Sequence, residues 1–205
     1  MYASIGSEKC YAFSGRKWFV YSSFLKYGVG VRQKRPNIKC QISQIQTPYK
    51  FTIQHLDECH HAARTIQDLF KNYTNKDIET GCHELLVNAI EHGNLEITLD
   101  QKMALIQSGE LLSFLDARLA EDPYKNRKVW IHCEIGNYNH KSALIITIRD
   151  DGQGFDWKRQ IESSKHICLA SQMHGRGILI AKEFSFDHLY YNDIGNQVRG
   201  ITYIE

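Results

Sequence analysis

A polar stripe on an otherwise apolar helix constrains this chain most. The segment CHELLVNAIEHG at residues 82–93 has the periodicity of an amphipathic helix that ends near Gly93-Asn94. Glu84 and Asn88 lie four residues apart on a face separate from the apolar stripe. Asparagine is a poor helix former, and a solvated face more typically carries Lys–Glu pairs. The pattern therefore favours a functional role that needs Glu84 and Asn88 together. The apolar stripe comprises Leu85, Leu86, Ala89 and Ile90.

Positive charge is concentrated near the N-terminus. Residues 1–45 carry eight lysines and arginines against Glu8 alone, although the whole chain of 205 residues has a net charge of only +2. The remainder is acidic, which argues against a nucleic-acid-binding core, whereas the basic arm could contact a membrane surface, an acidic partner or RNA. We therefore predict a basic extension over residues 1–45 and one globular domain over residues 46–205.

Cysteine usage and hydropathy favour a cytoplasmic protein. The six cysteines are scattered without a C-x-x-C pair, and two of them lie inside apolar-patterned elements. We expect them to be reduced and mostly buried. No run approaches the roughly 18 apolar residues of a membrane-spanning helix, so no membrane span is expected.

The remaining periodicity predicts helices packed on one face of a mixed, mainly antiparallel sheet. Such an α/β arrangement is a two-layer sandwich of the α+β kind. Helices are expected over residues 55–72, 77–92 and 177–184, and two shorter ones over 100–120 that hinge near Gly109. Strands are expected over residues 128–135, 143–149, 187–192 and 197–204, with one or two more between 42 and 53.

A glycine-rich loop directly follows the strand predicted over residues 143–149. Its sequence is DDGQGFD, in which Asp150 ends the strand and is followed by Gly152 and Gly154. Glycine lets a backbone turn sharply and approach a flat ligand closely, and a carboxylate can accept a hydrogen bond from an exocyclic amine. Taken alone, this pattern is more typical of a plain hairpin turn.

A second glycine-rich segment, HGRGI at residues 174–178, opens a predicted helix. A glycine-rich helix N-terminus presents free N–H groups to phosphate, and an arginine there adds positive charge. The candidate phosphate-binding residues are Gly175, Arg176 and Gly177. Taken alone, this segment too is more typical of an ordinary helix start.

The order of these motifs resembles the GHKL ATPase superfamily, whose members share the Bergerat nucleotide-binding fold. A helix carries E-x-x-x-N, a strand is followed by D-x-G-x-G, G-x-G opens another helix, and a hairpin follows it. The resemblance covers about residues 48–205 and excludes the basic arm. Within the superfamily the chain is most similar to the anti-sigma-factor serine/threonine kinase group.

The resemblance implies a ligand role for each motif. Asn88 would bind the Mg²⁺ that bridges the ATP phosphates, and Glu84, one turn earlier, would act as the general base. Asp150 would bind adenine, with Gly152 and Gly154 alongside. The phosphate loop would comprise Gly175, Arg176 and Gly177.

The chain departs from the family's pattern in two places. In many relatives the last strand begins with Gly-Thr, whose hydroxyl supports the adenine site, but here Gly195 is followed by Asn196. Asn196 can hydrogen-bond too, so it stays a cofactor-binding candidate. The helical insert at residues 98–122 is long for a minimal anti-sigma kinase and could reshape partner binding. Residues 157–173 would form the ATP lid.

Two classes of function remain open at this point. In the first, the chain is an ATP-dependent serine/threonine protein kinase that phosphorylates an antagonist protein and sequesters a partner such as a sigma factor. In the second, it is a nucleotide-binding switch without transfer activity. The catalytic module of a histidine kinase is a third alternative, but residues 1–45 are poorly suited to supply its phosphoacceptor helices. The presence of Glu84 favours the kinase over the switch. The sequence leaves open whether the chain forms a homodimer.

Overall fold

The sheet forms one layer of the fold in the computed structural model, which describes residues 48–165 and 176–204. Its strand order is β1-β2-β3-β5-β4, and each of the described pairings is antiparallel. The mainly antiparallel sheet predicted from the sequence is therefore confirmed, and no parallel pair occurs among these strands. The strands are β1 (Tyr49–Ile53), β2 (Val129–Tyr138), β3 (Lys141–Arg149), β4 (His188–Tyr191) and β5 (Gln197–Tyr203).

Helices form the second layer. Two of them continue as π-helical turns: α2 (Ile78–Asn88) through Ala89–Asn94, and α6 (Gly177–Ile180) through Ala181–Ser185. None of the helices in the described ranges is long and apolar enough to cross a bilayer. The helices are α1 (Glu58–Phe70), α2 (Ile78–Asn88), α3 (Leu99–Ser108), α4 (Leu111–Ala120), α5 (Trp157–Lys165) and α6 (Gly177–Ile180).

Local sequence signals determine where the helices begin and end. The Asp77 carboxylate accepts a hydrogen bond from Thr80 N at 3.2 Å and caps the start of α2. Thr98 and Gln101 form a reciprocal capping box at the start of α3. Gly109 has a φ of 77° and ends α3, because glycine adopts this left-handed conformation without strain. The predicted pair of short helices hinged near Gly109 is confirmed.

The core lies between α1, α2 and one face of the sheet. Alternate residues on the central strands point to this face, as the two-residue period of a strand requires. The strand residues buried there include Val129, Ile131, Cys133, Leu144, Ile146, Ile148 and Val198. The helices bury Ala63, Ile66, Phe70, Cys82, Leu85 and Leu86 against them. This is the two-layer α/β sandwich that the sequence predicted.

The cysteine prediction can be checked at three of the six positions. Cys59, Cys82 and Cys133 are free thiols, and each is buried. The other cysteines lie outside the described residues, as does the part of the first predicted strand that precedes residue 48. The division of the chain at residues 45 and 46 stays a prediction.

Strand β2 is longer than predicted because its turn is shorter. The predicted strands over residues 128–135 and 143–149 leave residues 136–142 as their connection, but the ladder continues to the pair formed by Tyr138 and Lys141. Asn139 and His140 alone connect the strands, with φ values of 50° and 62°. Two successive residues with positive φ are the geometry of a type I′ turn, which matches the twist of a hairpin.

Replacing His140 with glycine should stabilise this hairpin. Glycine adopts positive φ without the cost of about 1–2 kcal/mol that other residues incur, which exceeds its larger entropy loss on folding. We expect His140→Gly to raise the free energy of unfolding by about 0.5 kcal/mol and the branched His140→Val to lower it. Denaturant titrations would measure both. A stabilised valine variant would contradict the turn geometry.

Candidate functional site

A recess lies between α2, its π-helical turn and the ends of β3 and β5. Asn88, Asp150 and Asn196 come from three separate parts of the sequence, yet all three line it. The structure thus brings together residues from the helix motif, the glycine loop and the start of the last strand. The other lining residues are Leu85, Ala89, Gly93, Ile148, Phe155, Tyr191, Gly195, Gln197 and Val198.

The N-terminus of α6 packs directly onto the polar stripe of α2. A Cβ atom built on Gly177 would lie 2.6 Å from Glu84 Oε2 and 3.1 Å from Asn88 Nδ2. Such distances are shorter than van der Waals contact, so any larger residue at position 177 would displace one of these side chains. The close packing brings Gly177, from the glycine-rich segment HGRGI, beside Glu84 and Asn88 of the polar stripe.

The Glu84 carboxyl lies in surroundings that disfavour its charge. Burial raises the pKa of the Glu84 carboxyl above its usual range. The nearby ammonium group of Lys102 opposes this rise, and the carboxylate of Glu91 adds to it. A carboxylate whose pKa is raised toward neutrality accepts a proton more readily at physiological pH.

Asp150 is held in place by the backbone on both sides. Its own N–H donates to the Asn196 carbonyl at 3.0 Å, and Gly152 N donates to Asp150 Oδ1 at 2.9 Å. Burial, opposed by the hydrogen bond from Gly152, raises the pKa of Asp150 to about 6. A carboxylate offers about four lone-pair positions, so the bond from Gly152 leaves capacity to accept another hydrogen bond.

The π-helical turn after α2 supplies two residues whose role the sequence analysis missed. A Cβ on Gly93 would lie 2.4 Å from Asp150 Cγ, so the carboxyl group packs flat against this glycine. Asn94 Oδ1 accepts a hydrogen bond from Asp151 N at 2.8 Å. The sequence predicts only a helix stop at Gly93-Asn94, because a glycine-asparagine pair after a helix ordinarily marks its end. Together they fasten the D-x-G-x-G loop to α2.

The two glycines of that loop are explained by contacts with backbone. A Cβ on Gly152 would lie 2.2 Å from the Gly93 carbonyl oxygen. Gly154 has a φ of 80°, and its Cβ would lie 1.9 Å from the Ile194 carbonyl oxygen. Only glycine fits either place. Packing within the protein already requires glycine at both positions. A place for Gly152 and Gly154 alongside a ligand therefore remains a prediction.

Asn196 joins the last hairpin to the glycine loop. Its Oδ1 accepts a hydrogen bond from Asn192 Nδ2 at 2.8 Å, and its Nδ2 lies 3.5 Å from the Gly152 carbonyl. The carboxamide therefore lies at the recess through contacts of its own. Its contribution to ligand binding remains a prediction.

Part of the predicted phosphate loop and lid falls outside the described residues. Gly175 lies there, whereas Arg176 directly precedes α6. Of the predicted lid at residues 157–173, the first nine residues form α5 and the rest lie outside the described ranges. Trp157 at the start of α5 stacks on Tyr191 with ring centroids 5.6 Å apart, which anchors this helix beside the recess.

Comparison with known proteins supports the interpretation of the fold. A family model described as a histidine kinase-like ATPase domain matches residues 50–201. The matched span includes the polar stripe of α2, the D-x-G-x-G loop and the N-terminus of α6. No curated protein matches the chain.

Replacing Asp150 with asparagine should remove a pH-dependent cost in stability. With a pKa of about 6 in the folded protein against 3.8 ordinarily, Asp150 binds a proton between those pH values that the unfolded chain does not hold. The parent should therefore gain stability from this group as the pH falls through that window. At pH 7.5 we expect Asp150→Asn to be more stable than the parent by roughly 1–3 kcal/mol.

Denaturant titrations from pH 7.5 to pH 5 would test this expectation. The difference between variant and parent should shrink as Asp150 becomes protonated in the parent, since both residues are then neutral. A difference that stays constant with pH would mean that Asp150 does not titrate in this range. Asp116→Asn, the same change on an exposed residue of α4, is the matched control.

Proposed function

The chain belongs to the family of histidine kinase-like ATPase domains, and from this premise we propose that it is an ATP-dependent serine/threonine protein kinase. Its substrate would be an antagonist protein, and it would also sequester a partner such as a sigma factor. The observation that carries the transfer activity is the meeting of Glu84, Asn88 and Gly177 beside the recess. We place the protein in the cytoplasm, where ATP and such partners occur.

The buried end of the recess has the chemistry that an adenine ring requires. Asp150 presents a carboxylate that can accept a hydrogen bond from the exocyclic amine, and apolar side chains surround it. An amide at this position presents a donor as well as an acceptor. Asp150→Asn should therefore also bind ATP about ten- to a hundredfold more weakly, which calorimetry would measure.

The other end of the recess fits Mg²⁺ and a polyphosphate. Asn88 offers a carboxamide oxygen, a ligand that hard cations accept together with phosphate oxygens and water. Bound Mg²⁺ would neutralise negative charge on the phosphates. Asn88 would hold the metal, and the segment Gly175, Arg176 and Gly177 would contact the phosphates.

Glu84 would accept the proton in the transfer step. The hydroxyl oxygen of the antagonist's serine or threonine forms a bond to the terminal phosphorus of ATP as the bond from that phosphorus to the ADP oxygen breaks. The hydroxyl proton passes to the Glu84 carboxylate. The raised pKa of Glu84 supports this role, because it brings the carboxyl closer to the working pH.

A nucleotide-binding switch without transfer activity is the second candidate. It would use the same recess but would have no need for a proton acceptor. Burial of a carboxylate costs stability unless the charge is paired, and proteins accept that cost where a site needs a proton acceptor. The partial burial of Glu84 therefore favours the kinase over the switch.

Replacing Asn88 with alanine should abolish the dependence of ATP binding on Mg²⁺. The parent should bind ATP more tightly when Mg²⁺ is added, whereas Asn88→Ala should show the same affinity with and without the metal. Calorimetric titrations at constant ionic strength would compare them, with Asn137→Ala on the exposed part of β2 as control. Equal responses to Mg²⁺ in parent and variant would contradict the assignment of Asn88.

Replacing Glu84 with glutamine should separate chemistry from binding. The side chain keeps its size, so folding and ATP affinity should be nearly unchanged, but the proton acceptor is lost. Transfer of radiolabelled phosphate from ATP to candidate antagonist proteins should slow by about 10²–10⁴-fold. Glu79→Gln makes the same chemical change on the same helix outside the recess and should transfer at the parent rate.

The outcome also distinguishes the two candidate functions. A switch predicts that parent and Glu84→Gln are equally inert while both bind ATP. Transfer by Glu84→Gln at the parent rate would show that Glu84 is an ordinary polar residue of the helix. The proposed proton acceptor would then be wrong.

A further inference from the structure

We propose that Lys102, on helix α3 of the insert, binds the phosphate end of the nucleotide while Glu91 holds its ammonium group in place. The inference rests on the ATP binding proposed above. It gives the insert at residues 98–122 a direct part in the nucleotide site.

Glu91 and Lys102 form an ion pair that joins the π-helical turn of α2 to α3. The side chain of Glu91 is 2% exposed and that of Lys102 is 19% exposed. A carboxylate buried to this degree is strongly destabilising unless a cation pairs with it. Glu91 therefore keeps the Lys102 ammonium close to α2.

The short link between α2 and α3 is fixed by hydrogen bonds. Ile97 N donates to the Glu91 carbonyl at 2.9 Å, and His92 Nδ1 lies 2.5 Å from the Ile97 carbonyl oxygen. The capping box of Thr98 and Gln101 then determines where α3 begins. Lys102 follows directly in the first turn of α3, so its approach to Glu91 is set by the backbone as well as by charge.

Lys102 also lies within electrostatic range of the polar stripe. Its ammonium group lowers the pKa of Glu84, against the effects of burial and of Glu91. Glu84 Oε2 in turn borders Gly177, at the end of the recess where phosphates are expected. Glu91 follows Asn88, the proposed metal ligand, by three residues on the same continuous helix. The ammonium group paired with Glu91 therefore lies within about one helical turn of Asn88.

The charges at this end of the recess call for a cation. Glu84 and Glu91 place two carboxylates on one helix, and a nucleotide triphosphate adds more negative charge. A lysine ammonium carries three N–H donors. The bond to Glu91 uses one, and two remain for phosphate oxygens. Because Glu91 already orders the long side chain, contact with phosphate costs less entropy.

The test compares ATP, ADP and AMP binding to full-length protein by calorimetry with Mg²⁺ at one ionic strength. Lys102→Met keeps the apolar stem and removes the charge. Loss of a charged hydrogen bond corresponds to about ten- to a hundredfold in affinity. We expect the affinity of Lys102→Met for ATP to fall by this factor. Its affinity for AMP, which lacks the outer phosphates, should be nearly unchanged. Lys102→Arg should restore much of the ATP affinity.

Two further variants separate phosphate binding from folding. Lys102→Met leaves the Glu91 carboxylate buried without its cation. The double variant Glu91→Gln/Lys102→Met avoids this, because the carboxylate is replaced by a neutral carboxamide. The double variant should show the same selective loss of ATP affinity with a higher melting temperature than Lys102→Met. Glu91→Gln alone keeps the ammonium group but holds it less firmly, so its ATP affinity should fall by less than that of Lys102→Met.

Lys76→Met is the matched control, since it breaks the 2.6 Å ion pair with Asp187 between two other elements. It should leave binding of all three nucleotides unchanged. Unchanged ATP affinity in the double variant, equal losses for ATP and AMP, or an equal loss in Glu91→Gln would overturn the proposal. A parent that binds AMP and ATP equally would also overturn it. A parent that binds no nucleotide would instead overturn the proposed function, and with it this inference.

Discussion

Close backbone approach around α2 determines where each candidate site residue lies. Gly81 leaves the space into which Ser185 packs, and Gly177 leaves the space beside Glu84. Gly93 does the same for Asp150 at the far end of the helix. A Cβ at any of these glycines would meet its neighbour at less than 3.0 Å. Two separate chain segments, α6 with its π-helical turn and the D-x-G-x-G loop, therefore converge on α2. The recess lies between α2, that loop and the start of β5.

This convergence places several carboxyl groups in surroundings that disfavour their charge. Burial raises the pKa of both Glu84 and Asp150, whereas Glu91 is paired with Lys102. Isolated buried charges are costly, and proteins commonly accept such costs where a site needs them. The cost is concentrated along α2 and the loop fastened to it. The core between α1, α2 and the sheet is apolar.

The sequence predicts the elements of this fold better than their junctions. Gly109 marks the hinge between α3 and α4 because a left-handed residue is needed there, and the alternating pattern of β3 follows from its one buried face. The π-helical turn could not be predicted, because Ala89–Asn94 continues the same apolar periodicity as the α-helix before it. The length of β2 depended on the turn type, which asparagine and histidine specify only weakly.

In the candidate site, too, some residues could be predicted from the sequence and others could not. Glu84, Asn88 and Asp150 could be selected because their residue types stand out against the local pattern. Gly93 and Asn94 could not, since a glycine-asparagine pair after a helix ordinarily signals its end. The ion pair of Glu91 and Lys102 joins two elements, and no local pattern encodes such a contact.

The geometry also explains why transfer and switching share most of their requirements. Both need a residue for adenine and one for the metal, and Asp150 and Asn88 lie on the same recess. The two functions differ in their need for a proton acceptor beside the phosphates. A glutamine at position 84 would fit beside Gly177 without the cost of a buried charge. The carboxylate at position 84 is therefore the group in the polar stripe by which the two proposed functions differ.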